Sequence, residues 1–222
     1  MAGSRRYKLL CPIARALDHV GDRWTLLILR DLHAGPARFS DLQNGLVGIA
    51  SNLLTDRLQQ LIDDGLVRKR EGEFGVALYE LTRLGARTRD LLFELAMFGA
   101  RFPPDEDVHP PGNLRTIVVT LSTACQRVVT PELSFEAELD VDGEPFSLVV
   151  DSGTVEMRSG RPSSPDAVMQ TSYEPMVAAG EGEMPMDEFV QNHVQIIAHT
   201  PGKDRELMTL LGAAMALIAE EN

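Results

Sequence analysis

The sequence predicts two domains of different class: a mainly α-helical N-terminal domain closed by a two-stranded hairpin, and a C-terminal α+β domain built on an antiparallel sheet. Three observations carry this expectation. Apolar residues recur at helical spacing as far as Phe98, whereas beyond Leu133 they alternate in short runs separated by turn residues. Between the two, FPPDEDVHPPGN (residues 102–113) gathers four prolines, one glycine and three acids, which stop one helix and delay the next. The charge also divides: residues 1–104 carry 15 Lys/Arg against 12 Asp/Glu, a net +3, and residues 105–222 carry 6 against 21, a net −15. The expected limits are residues 1–102 for the first domain, 103–113 for a linker and 114–222 for the second domain.

The first domain reads as helix, helix, short helix, helix, hairpin, long helix. Cys11 to Val20 places Ile13, Ala14, Leu17 and Val20 on one face, with Pro12 tolerated in the first turn. Asp22 is placed to cap the next helix, which runs through Trp24, Leu27, Ile28 and Leu32 to the stop at residues 34–36, and Trp24 is expected at the centre of the domain. Ser40 is expected to cap a short helix, DLQNGL. Ser51 is expected to cap NLLTDRLQQLIDDG, in which Leu54, Leu58, Leu61 and Ile62 form an inward stripe and Gly65 ends the helix. LVRKR and ALYEL then read as strands joined by EGEFGV, and Thr82 is expected to cap a last helix through Phe98. This order is the layout of a winged helix-turn-helix.

The second domain begins with a helical pattern over Leu114–Val128. SFEAELDVDG, PFSLVVD, TVEMRSG and AVMQTS follow as strands, then helices at Tyr173–Ala179 and Met186–Asn192, a strand at VQIIAHT and a closing helix from Asp204 to Ala219.

Several functional classes are disfavoured. Cys11 and Cys125 lie far apart without a CxxC pairing, so neither a zinc site nor a disulfide framework is indicated. MAGSRRYKLLCPIAR lacks the continuous apolar core of a secretory signal, and the apolar run Leu207–Ala219 is too short to span a bilayer, so no membrane association is expected. His19, His33, His109, His193 and His199 form no metal-binding spacing, and no nucleophile elbow or phosphate loop is present; neither an enzyme, a metal nor a cofactor is expected.

On the helix from Ser51, Asn52, Asp56, Gln59 and Asp63 project outward, with Thr55 and Arg57 on the flanks. Short polar groups near a helix N-terminus can read base edges in a major groove, and Arg68, Lys69 and Arg70 on the first hairpin strand can hold phosphates.

The ordered set CP at 11–12, GDRWTLLILRDL, GP, FSDLQ, SNLLTDRL, DGLV and YELTRLG resembles the HxlR-type winged-helix transcriptional regulators, relatives of the MarR group, over Cys11 to Phe98. The resemblance implies a cytoplasmic homodimer that binds double-stranded DNA sequence-specifically, with dimer contacts from the helix at Cys11 and the helix at Thr82. The expected DNA-binding residues are Arg38, Ser40, Ser51, Asn52, Thr55, Arg57, Gln59, Arg68, Lys69 and Arg70. In that family a cysteine before this proline sometimes senses oxidants, which makes Cys11 a candidate redox sensor. Residues 114–219 are similar in element pattern to sterol carrier protein type two domains. That likeness implies the fold and not a ligand, since NHVQIIAHT stands where those domains have a small, basic, glycine-containing strand. The regulator reading itself leads to the expectation of a hydrophobic small-molecule effector in this domain, for which Met169, Met176, Met184 and Met186 would suit adaptable contacts. The alternative is a lipid or small-molecule carrier whose helical module serves dimerisation.

Overall fold

The computed structural model of the protein describes residues 7–102 and 111–221; residues 103–110 of the expected linker, His109 among them, and the first six residues lie outside the described residues. The chain divides into two compact units. The first runs to Arg89 and includes Pro111–Asn113, and the second takes the rest from Asp90.

In the first unit, α1 (Pro12–Val20) starts on its proline and buries Ala14 and Val20. α2 (Arg23–Leu32) is capped as its sequence suggests: the Trp24 N–H donates to Asp22 Oδ1 at 3.0 Å. Ile28, Leu29 and Leu32 are fully enclosed, but Trp24 is not central; it is half-buried, with the Arg23 guanidinium 5.3 Å from its ring centroid. The indole lies in the first turn of the helix, whereas Ile28 and Leu32, further along, are enclosed in the core. At the other end of α2 the Asp31 carboxylate is wholly buried. Arg30 pairs with it at 2.7 Å, and the Asn113 amide donates to its second oxygen at 3.4 Å. α3 (Phe39–Gly45) approaches this carboxylate through Gly45, where a Cβ would stand 2.8 Å from Asp31 Oδ2.

Two expected caps are corrected. The cap position of α3 is Arg38, whose N–H donates to Asp41 Oδ2 at 2.9 Å, and Ser40 lies one residue inside the first turn. α4 (Ser51–Asp63) has Ala50 at its cap position and Ser51 as its first helical residue. Leu54, Leu58 and Leu61 are buried, while Ile62 is only partly so. Gly65, at φ +71°, closes α4: Leu66 N–H reaches Leu61 O and Gly65 N–H reaches Ile62 O, the paired bonds of a left-handed C-terminal cap.

β1 (Val67–Glu71) and β2 (Ala77–Leu81) then pair antiparallel, and Ala37 bridges Tyr79 as a third short rung. Thr82 caps a single 3-10 turn, Gly85–Thr88, its hydroxyl accepting the Gly85 N–H at 3.1 Å and donating to Gly65 O at 2.6 Å. The long helix α5 (Arg89–Ala100) therefore begins seven residues after Thr82, and it packs within the second unit.

In that unit α5 meets α6 (Thr116–Val128) through Arg127, which pairs with Glu94 at 2.6 Å and lies 4.1 Å over the Phe93 ring. β3 (Ser134–Val141), β4 (Glu144–Asp151) and β5 (Thr154–Ser159) form two hairpins. Their two-residue turns, Asp142-Gly143 and Ser152-Gly153, have positive φ at both positions, which matches the strand twist. β6 (Ala167–Thr171), α7 (Tyr173–Gly180), α8 (Met186–His193), β7 (Gln195–Ala198) and α9 (Lys203–Glu221) complete the chain. The sheet order is β5-β4-β3-β6-β7.

The expected all-antiparallel sheet is corrected to a mixed one, because β6 pairs parallel with β3. β4 already occupies one edge of β3, so the chain leaving β5 crosses to the other edge and runs alongside β3. The apolar rows Phe135, Leu139, Phe146, Leu148 and Val155 are buried in the core of this unit, and α6 and α9 pack together against the sheet.

His33 ends α2 as a pH-sensitive contact of the first unit. Thr88 gives its hydroxyl proton to Gly85 O, so the imidazole donates from Nε2 to Thr88 Oγ1 at 3.0 Å and is neutral. Burial, with a smaller effect of Arg89, lowers its pKa from 6.5 to about 4. The unfolded chain binds this proton more readily, so the stabilisation is complete above pH 6.5 and is lost as the pH falls toward 4. His33→Gln is expected to flatten this acid limb by about 2 kcal/mol, read from the fluorescence of the single tryptophan during urea unfolding at a series of pH values.

Candidate nucleic-acid interface and ligand cavity

The exposed face of α4 collects Asn52, Thr55, Asp56, Gln59 and Asp63, as the helical spacing requires. Its first two turns are short and mostly uncharged. Ser51 Oγ accepts a hydrogen bond from Gln43 Nε2 of α3, which links the two helices of the helix-turn-helix at the surface. Thr55 Oγ1 donates to Ser51 O of its own helix at 2.9 Å, leaving its methyl group as the distinctive outward feature. Gln59 Nε2 donates to Asp63 Oδ1 at 2.8 Å, so acid and amide hold each other at the C-terminal half. The neutral N-terminal end, where the helix dipole is positive, suits approach to a polyanion, and the acidic far end does not.

Arg57 is the expected site residue that turns inward. Its Nη2 donates to Asp22 Oδ2 at 3.0 Å and its Nη1 to Gln60 Oε1 at 3.3 Å. Asp22 thus holds two elements with one carboxylate: one oxygen caps α2 and the other fastens α4. Sequence reading assigned Asp22 the cap alone, since nothing local shows a partner 35 positions away.

The hairpin changes the meaning of the three basic residues. Arg68 and Glu80 face each other in register, and Arg68 and Arg70, two apart, share one side of β1. Both guanidinium groups therefore converge on Glu80, at 2.6 and 2.7 Å. Burial alone would raise the pKa of Glu80, but the hydrogen bonds and charges of Arg70 and Arg68 outweigh it and hold the carboxyl below its usual range. Lys69 projects from the opposite side, 6.0 Å from the Tyr79 ring centroid. Glu80 escaped the sequence reading because its role depends on strand register, although Tyr79-Glu80-Leu81 does present a charge between two apolar residues. Arg38 and Ser40 are exposed at the start of α3, where Arg38 Nε pairs with Asp41 at 3.3 Å.

The two cysteines differ in kind. Cys11 is half-buried at the start of α1, whereas Cys125 is enclosed in α6, where burial pushes its thiol up to about 12.

A cavity of about 240 Å3 lies within the second unit, walled by α5, α6, α7 and α9. Ile117, Leu121 and Ile218 line it together with Met97, Met176 and Met215. Of the four methionines singled out by sequence, only Met176 lines this space; Met169 is buried in β6, and Met184 and Met186 lie partly exposed outside it. Met97 and Met215 come from helices 118 positions apart in the chain, which no local pattern joins.

Arg57 and Asn52 should separate cleanly by mutation. Arg57→Ala, which deprives half-buried Asp22 of a charged donor, is expected to destabilise the first unit by about 1 kcal/mol. Asn52→Ala, on the exposed face, is expected to change stability by less than about 0.5 kcal/mol; urea midpoints followed by Trp24 fluorescence check both.

A profile of the HxlR-like helix-turn-helix family matches residues 19–107. An uncharacterised HTH-type transcriptional regulator of Escherichia coli, YtfH, is 41% identical over 59 residues, which are 27% of this chain and 47% of that protein. The matched part is thus about half the length of that relative. The Bacillus subtilis HTH-type regulator YvaP, also uncharacterised, is 29% identical over 96 residues, 42% of this chain and 89% of its own. Among solved structures, the reduced form of the transcriptional regulator YodB from B. subtilis has 26% identity and a TM-score of 0.38, covering 44% of this chain and all of that one. Among the described residues no helix is long and apolar enough to cross a membrane. In its helix order, its hairpin and the profile match over residues 19–107, the N-terminal part of this chain is similar to the HxlR-like helix-turn-helix regulators.

Proposed function

We propose that the protein is a sequence-specific DNA-binding transcriptional regulator that acts as a homodimer and responds to a hydrophobic small molecule held in its second unit. The observation that carries this reading is the exposed α4 face. Ser51, Asn52, Thr55 and Gln59 offer neutral hydrogen-bonding and methyl groups at the positions from which a helix reads base edges. Phosphate contacts come from Arg38, Lys69 and the exposed parts of Arg68 and Arg70, since the stretch from residue 105 onward carries a net −15 and cannot contribute them.

Dimerisation is supported by apolar side chains left in water. Ile13 and Leu17 on α1 are 72% and 44% exposed, and Leu91, Leu95 and Phe98 on α5 are 44%, 41% and 62% exposed. Each set recurs at helical spacing, as a second copy of the chain would require. Two α4 helices would then enter successive major grooves about 34 Å apart, on a palindromic operator. In this reading, oxidation of the free thiol of Cys11, at the start of α1, would be felt by the dimer.

The apolar cavity of the second unit supports the effector half of the reading, in which we take its helices and strands to be similar in order to those of a sterol carrier protein type two domain. The same cavity supports a second reading, a small-molecule carrier dimerised through its helical module. Retention of a bound apolar compound by a protein without DNA affinity would favour that reading.

The test is a gel shift against the protein's own promoter region at low salt. Retardation by the wild type and at least tenfold weaker binding by Asn52→Ala are expected; failure to retard any such DNA would overturn the proposal. Glu80→Gln removes the carboxylate that holds Arg68 and Arg70, so tighter binding is expected, with a log K against log salt slope steeper by roughly one to two.

A further inference from the structure

We propose that the cavity of the second unit takes a small hydrophobic organic cation, with an apolar body of about two rings among the helices and an amine or quaternary ammonium group at Glu181. This inference rests on the reading of that cavity as an effector site and names the class of effector.

The body is set by volume and lining. An apolar cavity of roughly 150 Å3 holds benzene, so about 240 Å3 accommodates a larger, bicyclic group. Methionines contributed by α5, α7 and α9 make the wall deformable, which suits planar or branched shapes alike.

The charge is set by Glu181. The polar side chains on the lining are the hydroxyls of Thr116, Thr120 and Tyr173 and this one carboxylate, and neither lysine, arginine nor histidine lines the cavity. Glu181 occupies the cap position at the C-terminus of α7, its own N–H donating to Val177 O at 2.8 Å. Glu183, two residues on, adds a second negative charge. Burial, and after it Glu183, push the Glu181 carboxyl above its usual pKa. Burial of the carboxylate and the neighbouring Glu183 charge both disfavour an anion at this rim, and a bound cation would offset them. A fatty-acid carboxylate would meet repulsion there, and a neutral ligand would relieve none of the strain.

The arrangement also gives the ligand a direction. Tyr173 and Glu181 stand at opposite ends of α7, on the order of 12 Å apart at 1.5 Å per residue. The ring of Tyr173 can meet the apolar body while the carboxylate meets the head. The acidic excess of residues 105–222 adds a general attraction for cations approaching the mouth.

Three probes of matched shape decide the matter on the full-length protein by calorimetric titration: 2-(aminomethyl)naphthalene, 2-methylnaphthalene and 2-naphthoate. The amine is expected to bind at least tenfold more tightly than the carboxylate, with the neutral compound between them. Glu181→Gln should reduce that preference to within about twofold without weakening the neutral compound. Ala100→Phe, which fills the cavity, should weaken all three; Thr120→Phe fills it from another helix should the first variant not fold. Equal or tighter binding of 2-naphthoate, a preference that survives Glu181→Gln, or no binding of any probe would overturn the inference. Because the readout needs no DNA, a protein that prefers the amine yet retards no promoter DNA would overturn the regulator reading and leave the cation site standing.

Discussion

The arrangement of the first unit depends on one carboxylate, that of Asp22. Its Oδ1 accepts the Trp24 N–H and so starts α2, while its Oδ2 accepts Arg57 Nη2 and so holds α4. The helix that forms the scaffold and the helix that presents the reading face are tied at a single point, without a loop between them to absorb error. Asp31 does comparable work at the far end of α2, buried with Arg30 and Asn113, and Gly45 lets α3 come close to it. A buried carboxylate is costly unless it is paired, so Asp31 specifies its neighbours as well as stabilises them.

This use of charge has a consequence for recognition. Arg57 is taken by Asp22, Arg68 and Arg70 by Glu80, Arg30 by Asp31, and Arg38 is shared with Asp41. The net +3 of residues 1–104 therefore overstates the positive charge offered to a phosphate backbone. On the proposed reading, recognition would lean on neutral groups of the α4 face more than on a basic surface, with carboxylates such as Glu80 limiting the cationic charge on offer.

The second unit is organised by different means. Two left-handed hairpin turns set the β3-β4-β5 meander, and the crossover to β6 places α7, α8 and α9 after the meander is complete. Four helices packed on one another leave a space lined by Met97, Met176 and Met215 together with the branched chains of Ile117, Leu121 and Ile218. The cavity is thus a product of the way four helices meet, with one acid at its rim.

By itself the sequence determined the order of the elements and the resemblance to HxlR-like helix-turn-helix regulators. The Asp22 cap, Gly65 as the end of α4, the hairpin at 67–81 and the outward set Asn52, Thr55 and Gln59 were all readable, because capping, left-handed glycines and helical periodicity act within a few residues. The caps expected at Ser40 and Ser51 fall one or two residues earlier, at Arg38 and Ala50, and Thr82 precedes a separate 3-10 turn, because the point where the backbone enters the helix is set by packing and not by the nearest polar side chain. Only the tertiary structure decided that Arg57 faces Asp22, that Arg68 and Arg70 share Glu80, that β6 runs parallel to β3, and that Met97 and Met215 line one cavity. Each of these joins residues distant in the chain, and a charge or an apolar side chain carries no record of its partner until folding brings the two within a few ångströms.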